Sequence, residues 1–133
     1  MLVWHSALEL TEHTLFLALF IFDKYTHKKR IEFCQLVPII LASLFIAIKF
    51  EEITIYSARF FVYNCGIENF CRDDLLLLEE DILSTLDFDI IYPCPYDILR
   101  RLVFIFNGSQ QLGKINKLTY IYIYIKFNYI FFF

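Results

Sequence analysis

The residues best able to do chemistry lie at the end of one long apolar segment. Residues 36–48 contain a single polar residue, Ser43, and the sequence then reads Lys-Phe-Glu-Glu over 49–52. Because Lys49 follows an apolar run, we expect its stem to be half buried and its ammonium group to need an anionic partner. Glu79 lies in a leucine-rich segment, so we expect its carboxylate to need a cationic partner. These residue types predict an ion pair, which either only stabilises the fold or fixes the register of a partner at a binding surface.

No residue pattern typical of an enzyme accompanies these charges. The sequence has no nucleophile–base signature and no glycine-rich phosphate loop. The acidic neighbours at 73–74 and 79–80 point to different faces of a helix, so we interpret them as helix-start and surface charges, with Glu79 the exception. The cysteines and histidines show no metal-ligand spacing, and we expect the cysteines to be reduced. We therefore predict no catalytic activity, no cofactor and no metal site.

The composition narrows the remaining classes of function. The 133 residues are 59% hydrophobic and carry a net charge of −3, so the electrostatic footprint of a nucleic-acid-binding protein is absent. The apolar segment 36–48 is shorter than the stretch of about 20 residues that spans a bilayer. It has the length of a core helix and no hydrophilic face, so other elements must surround it. We predict neither a nucleic-acid partner nor a membrane.

The hydrophobic pattern along the chain predicts an all-α protein. Thr11 is suited to cap a helix over about 12–25, and a basic connection over 26–32 follows that helix. The central helix is predicted over about 33–50. Because proline is tolerated in the first turn of a helix but kinks its interior, Pro38 predicts that the straight part of this helix begins near Leu36. The remaining expected elements are helices over about 57–64, 72–86 and 96–106, and an extended stretch over 87–95.

The last twenty residues differ in composition from the rest. Residues 114–133 consist almost entirely of Ile, Tyr, Phe, Lys and Asn, the amino acids of A/T-rich codons. One interpretation is a β-strand with alternating Tyr and Ile. The other, which we favour, is sequence not selected to fold, such as read-through into noncoding DNA. We therefore predict that residues 114–133 form a low-complexity tail outside the fold.

Four blocks along the chain share the order and spacing of a known family. They are Thr14-Leu-Phe-Leu-Ala18 through Asp23-Lys-Tyr25, the segment from Ala42 to Ile53 that contains Lys49-Phe-Glu-Glu52, Phe61-Val-Tyr63, and Glu79 with Leu86-Asp-Phe-Asp89. Together these blocks resemble the cyclin box, most closely that of the mitotic A/B-type cyclins. The first two blocks hold the family spacing without a gap, whereas the later blocks need an insertion.

The resemblance implies a cyclin-box helical bundle around the central buried helix, truncated at both ends. The family's first helix is largely missing, and a second box stops after one helix. The implied domains are a partial N-terminal cyclin box over 1–92, the start of a second cyclin-like box over 93–113, and the tail over 114–133.

The resemblance also implies a function without catalysis. Cyclins bind and activate a cyclin-dependent serine/threonine protein kinase in cell-cycle control, so we expect a heterodimer with such a kinase, in the nucleus and cytoplasm. The family's signature lysine and glutamate match Lys49 and Glu79, and Asp23 matches its structural aspartate. The kinase-binding set implied by the resemblance is Lys49, Glu79, Phe50, Glu51, Glu52, Ile53 and Ile82.

The patch that docks substrates in the family is expected to be incomplete in this chain. Trp4 falls after the place of the signature tryptophan, and Leu36 and Val37 stand where the family has Leu-Gln. Two alternatives to an activating subunit stay open. One is a non-activating, truncated cyclin-fold interaction module, either of the transcription type or acting as a decoy. The other is a small membrane protein, prompted by the hydrophobic composition.

Overall fold

The computed structural model describes residues 1–54, 56–67 and 70–91, together with residues 94, 97, 98, 100 and 101. The chain divides into two compact units, residues 1–92 and 93–133, and the elements below belong to the first unit. The helix predicted over 96–106 lies largely outside the described residues, and the tail over 114–133 lies wholly outside them. Both stay predictions, as does the assignment of 93–113 to a second box.

The described elements are helical, which confirms the all-α prediction. They are α1 (Leu2–Ala7), α2 (Glu12–Lys28), a 3-10 turn (Phe33–Gln35), α3 (Leu36–Glu51), α4 (Ala58–Cys65) and α5 (Arg72–Thr85). No strand occurs within the described ranges. The carboxyl ends of α3, α4 and α5 lie within one residue of the predicted carboxyl ends.

The central helix α3 forms the core of the bundle. Its buried residues are Ile39, Leu41, Ala42, Ser43, Leu44, Phe45, Ile46, Ala47 and Ile48. Helices α2 and α5 pack against it, and the ring centroid of Phe61 from α4 lies 5.1 Å from that of Phe45. By length and composition the stretch Phe33–Glu51 could cross a membrane, but half of its apolar window is buried inside the bundle. The core helix of a helical bundle passes the same test of length and composition.

Polar contacts show how the three main helices run. Glu52, which directly follows α3, binds Thr11 and Thr14 at the start of α2, so α2 and α3 are antiparallel. The Lys28 ammonium, at the end of α2, donates to the backbone carbonyl of Thr85 at the end of α5, at 3.0 Å. The carboxyl ends of α2 and α5 therefore lie together, and α3 runs against both.

The helix ends follow local signals in the sequence. The Thr11 side chain accepts a hydrogen bond from the backbone N–H of Thr14, and Ser57 caps α4 in the same way. Gly66 ends α4 in the left-handed region, with φ 62°, where glycine carries no steric penalty. Pro38 is the third residue of α3, in its first turn, so the prediction that the straight helix begins near Leu36 is confirmed.

Two predicted boundaries are wrong. Helix α2 continues three residues past Tyr25, to Lys28, where a basic connection had been expected. The reason is tertiary, because Tyr25 is buried and the lysines that follow bind α5. Asp87 and Phe88 were expected to be extended, but both are left-handed, with φ 55° and 57°. Their backbone N–H groups bind the last turn of α5, so they end that helix.

The basic end of α2 holds the acidic end of α5 through a group of contacts that we call the lysine clasp. Its members are Lys24, Tyr25, Lys28 and Lys29 on and after α2, and Asp81, Thr85 and Asp89 on and after α5. The Lys29 ammonium lies 2.7 Å from one Asp81 oxygen, which also accepts a hydrogen bond from the Tyr25 hydroxyl. These two hydrogen bonds lower the pKa of Asp81, whereas burial, followed by the bond to Asp81, raises the pKa of Tyr25. Lys24 binds Asp89 at 2.6 Å and lowers the pKa of that carboxyl.

We expect Ser43→Ala to raise the free energy of unfolding by about 1 kcal/mol. The Ser43 hydroxyl is buried in the core with no hydrogen-bond partner among the described residues, and such a group costs about 1–3 kcal/mol when left unsatisfied. Urea unfolding measures the change. The matched control is Ser57→Ala, which removes the cap of α4 and should lower the same free energy by about 1 kcal/mol. If Ser43→Ala lowers the free energy of unfolding instead, the Ser43 hydroxyl must have a hydrogen-bond partner in the folded chain.

We expect Asp81→Asn to lower the free energy of unfolding by about 0.5–1 kcal/mol near pH 7. The value is small because 48% of the Lys29 side chain and 40% of the Asp81 side chain are exposed to screening solvent. The folded pKa of Asp81 lies below the unfolded value of about 3.9, so its contribution is present above about pH 4 and is lost as the pH falls through the folded pKa.

Urea unfolding of parent and Asp81→Asn across this pH range tests the prediction. The difference between the two should shrink as the solution becomes more acidic than about pH 4. Glu80→Gln, which changes an exposed carboxylate on the same helix, should stay within about 0.5 kcal/mol of the parent. A difference for Asp81→Asn that grows toward acid pH would be inconsistent with a lowered pKa.

Candidate functional site

The ion pair predicted from residue types is present between α3 and α5. The Lys49 ammonium, in the last turn of α3, lies 2.5 Å from a carboxylate oxygen of Glu79 on α5. The side chain of Glu79 is only 13% exposed, whereas that of Lys49 is 40% exposed. The Lys49 ammonium also lies 5.0 Å from the ring centroid of Phe45, within the range of a cation–π contact. The glutamate therefore holds the lysine in place while part of the lysine side chain stays exposed to solvent.

The position of Lys49 follows from the helix that carries it. The preceding residues of α3 are buried, so the lysine stem lies along apolar surface and the charge emerges at the end of the helix. Positive charge is favourable at a helix carboxyl end, where backbone carbonyls lack partners. The pair therefore lies at the rim of the core, where an apolar surface meets solvent.

Exposed apolar side chains adjoin the pair in the sequence. Phe50 is 55% exposed and Ile53 is fully exposed, and Glu51 between them is also exposed. Burying a side chain such as Phe or Ile stabilises a contact by about 1.5–3 kcal/mol. The end of α3 thus combines a restrained charge with apolar groups that gain free energy when a partner covers them.

Two residues of the predicted binding set face inward, and their kinase-binding role stays a prediction. Ile82 is fully buried in the core, so it supports α5 from beneath and offers no surface to a partner in this conformation. The carboxylate of Glu52 accepts hydrogen bonds from the backbone N–H of Thr11 at 2.8 Å and from the hydroxyl of Thr14 at 2.5 Å. Glu52 therefore binds α2, whereas Glu51 faces solvent.

The residues predicted to have structural or substrate-docking roles lie far from Lys49 and Glu79 in the sequence. Asp23 is exposed near the carboxyl end of α2, where its backbone carbonyl accepts a hydrogen bond from the Thr26 hydroxyl at 3.1 Å. Trp4 is half buried on α1 and packs against the core. Leu36 is half buried and Val37 is 42% exposed at the start of α3, the opposite end from Lys49. Their structural and substrate-docking roles stay predictions.

The contacts that orient these helices were not predicted from the sequence. The basic residues after Tyr25 were expected to form a connection, whereas Lys28 and Lys29 bind α5. The four-residue spacing of Lys24 and Lys28 places them on one helix face and could have indicated a shared partner. That partner could not be identified without the packing of α2 on α5.

A family comparison covers the whole of this site. The family described as "Cyclin, N-terminal domain" matches residues 1–91, which include both members of the ion pair. The chain belongs to the cyclin family. This cyclin box therefore contains the Lys49–Glu79 pair, the exposed end of α3 and the lysine clasp.

Several relatives of this cyclin are mitotic cyclins. It is 38% identical over 101 residues to G2/mitotic-specific cyclin-3 of Saccharomyces cerevisiae, covering 74% of this chain and 23% of that protein. It is 36% identical over 98 residues to G2/mitotic-specific cyclin cdc13 of Schizosaccharomyces pombe, covering 74% and 20%. It is 30% identical over 116 residues to Cyclin-B2-2 of Oryza sativa subsp. indica, covering 87% and 27%.

The aligned part is a small share of each relative. This cyclin spans about a fifth to a quarter of the length of the curated relatives it matches. No solved structure matches the chain. The family assignment and the mitotic relatives therefore agree with the predicted cyclin box.

We expect a double-mutant cycle on Lys49→Ala and Glu79→Ala to give a coupling free energy of about 0.5–1 kcal/mol. This is the upper part of the range for solvent-exposed pairs, because Glu79 is mostly buried while Lys49 remains screened. Urea unfolding of the parent, both single variants and the double variant measures it. The control cycle uses Arg72 and Asp73, an adjacent pair with side chains 55% and 77% exposed, which should give a coupling near zero. Equal coupling in the two cycles would show that burial of Glu79 adds nothing.

Proposed function

We propose that this cyclin chain is a regulatory subunit that binds and activates a cyclin-dependent serine/threonine protein kinase in cell-cycle control. The observation that carries the proposal is the Lys49–Glu79 pair beside the exposed apolar end of α3. The relatives named as G2/mitotic-specific cyclins support the same conclusion. The expected assembly is a heterodimer of one chain with one kinase, in the nucleus and cytoplasm.

The geometry suits recognition of a partner backbone by a restrained charge. A lysine ammonium has three hydrogen-bond donors, and among the described residues Glu79 is the hydrogen-bond partner of Lys49. The remaining donors can bind backbone carbonyls of a partner. Because Glu79 has already restrained the lysine, binding costs less side-chain entropy than it would for a free lysine.

The apolar neighbours supply affinity that the charges cannot. Charges at the edge of an interface fix register more than they add free energy, whereas buried aromatic and aliphatic anchors add most of the affinity. Phe50 and Ile53 are the exposed apolar side chains closest in sequence to Lys49. In the proposed complex they are covered by the kinase, and the charged pair sets the angle at which the kinase is held.

Activation then follows from displacement of an element of the kinase. In protein kinases a Lys–Glu pair must form, with the glutamate carried by a movable helix, before phosphoryl transfer is efficient. A rigid surface pressed against that helix shifts the kinase toward its active state, because it binds the active arrangement better. The cyclin chain contributes no group to the chemical step under this proposal.

The test is recovery of kinase activity with the full 133-residue chain. A purified mitotic cyclin-dependent kinase is mixed with the parent chain and with Lys49→Ala/Glu79→Ala, and bound kinase and histone phosphorylation are both measured. We expect the double variant to bind at least about tenfold more weakly, a loss of about 1.4 kcal/mol. Arg72→Ala/Asp73→Ala removes an exposed pair at the start of α5 and should bind as the parent does.

Circular dichroism must first show that each variant is folded under the assay conditions. Kinase bound by the parent without histone phosphorylation would favour the non-activating interaction module instead. A folded parent chain that binds no kinase would contradict the proposed function.

A further inference from the structure

We propose that Glu52 is a positioning residue rather than a contact residue. By binding the start of α2 it holds the end of α3 in place, so that Phe50 and Ile53 are presented to the partner kinase. The inference rests on the proposed function and assigns to one of the two adjacent glutamates a role different from that of its neighbour, Glu51.

The contacts of Glu52 restrain its carboxylate from two directions. One oxygen accepts from the backbone N–H of Thr11 at 2.8 Å and from the hydroxyl of Thr14 at 2.5 Å. Thr14 is fully buried, and its hydroxyl also lies 3.0 Å from the Thr11 hydroxyl, so Glu52 binds a hydrogen-bonded pair of threonines of which Thr14 is shielded from bulk water. A charged acceptor with two donors from the same helical turn has little freedom to move.

These contacts complete the cap of α2 from another helix. In a capping box, a Ser or Thr cap binds the backbone N–H three residues later, and a Glu at that later position binds the backbone N–H of the cap. Thr11 makes the first of these bonds, to the N–H of Thr14 at 3.4 Å. The later position is occupied by Thr14, which has no carboxylate, and Glu52 supplies the missing carboxylate from the end of α3. The positive end of the α2 dipole favours the charge there.

Because Glu52 lies at the end of α3, its contact with α2 affects where the residues beside it are placed. Its backbone N–H still bonds to the carbonyl of Ile48 at 3.0 Å, but its own dihedral angles are extended, so the helix ends there. Ile53 follows with its side chain fully exposed. Packing of Ile53 therefore contributes nothing to its own placement, and the neighbouring Glu52 makes the contact that restrains the chain where it leaves α3.

The experiment changes the tether without touching the exposed surface. Thr14→Val replaces the buried hydroxyl with a methyl group of similar size and leaves every exposed residue of the end of α3 unchanged. We expect the dissociation constant of the folded full chain for a purified mitotic cyclin-dependent kinase to rise about tenfold, because Phe50 and Ile53 then lose order that must be recovered on binding. Thr14→Ser restores the donor and should restore the affinity.

Two further measurements separate positioning from general stability. Asp81→Asn weakens the lysine clasp at the opposite end of α2 and should leave the affinity of the folded chain unchanged. Amide hydrogen exchange of the chain alone should be faster at residues 49–53 in Thr14→Val, with little change in the middle of α5.

The outcomes are distinguishable. Parent-like affinity in folded Thr14→Val, or failure of Thr14→Ser to restore it, overturns the positioning role. Weaker binding by Glu52→Ala alone, with Thr14→Val unaffected, assigns Glu52 to direct contact and also overturns it. If the parent binds no kinase, the proposed function fails, and hydrogen exchange then tests the tether independently. Unchanged exchange at residues 49–53 in Thr14→Val overturns the tether. Faster exchange at these residues supports the tether, although the kinase is then not its partner.

Discussion

A helix with no hydrophilic face can be stable in water only when other elements cover it on every side, and α3 imposes this condition on the described part of the chain. Its residues from Leu41 to Ile48 are buried without exception. Helices α2 and α5 provide the cover, and Phe61 of α4 packs on Phe45. Since the sides of α3 are occupied, only its ends can carry charge. The location of the candidate site at the carboxyl end of α3 is therefore a consequence of how the core is enclosed.

Apolar burial is non-directional, so enclosure alone does not fix how the helices slide along one another. Polar contacts at the two ends of α2 supply that register. At its start, Glu52 from α3 completes the cap, and at its end the lysine clasp holds α5. Each contact is partly exposed and worth little free energy by itself. Their effect is geometric, because each contact fixes one neighbouring helix relative to one end of α2.

Local signals allowed most of the helix boundaries to be predicted. Thr11, Ser57 and Gly66 act through their own turns, so their effects can be inferred from neighbouring residues. The charged pair was also predictable, since a lysine and a glutamate embedded in apolar segments each require a partner.

The failures concern residues whose surroundings are distant in sequence. Glu51 and Glu52 are chemically identical neighbours, and only the position of α2 turns one inward. Ile82 lies on the part of α5 that the core buries completely, whereas Ile53 falls beyond the end of a helix and remains exposed. A periodic pattern identifies an apolar face but does not show which part of that face another helix covers.

The uncovered side chains at the end of α3 also bear on how long the chain persists in a cell when nothing binds it. Burial of Phe50 and Ile53 is favourable against any apolar surface that covers them, whether that surface belongs to a partner, a chaperone or an unfolded protein. A subunit with such a surface is a client of cellular quality control until it is assembled, because chaperones and proteases act on exposed apolar groups. Under the proposed function, the supply of kinase therefore limits how much of this cyclin accumulates, and the same two residues that favour assembly also keep the unassembled pool small.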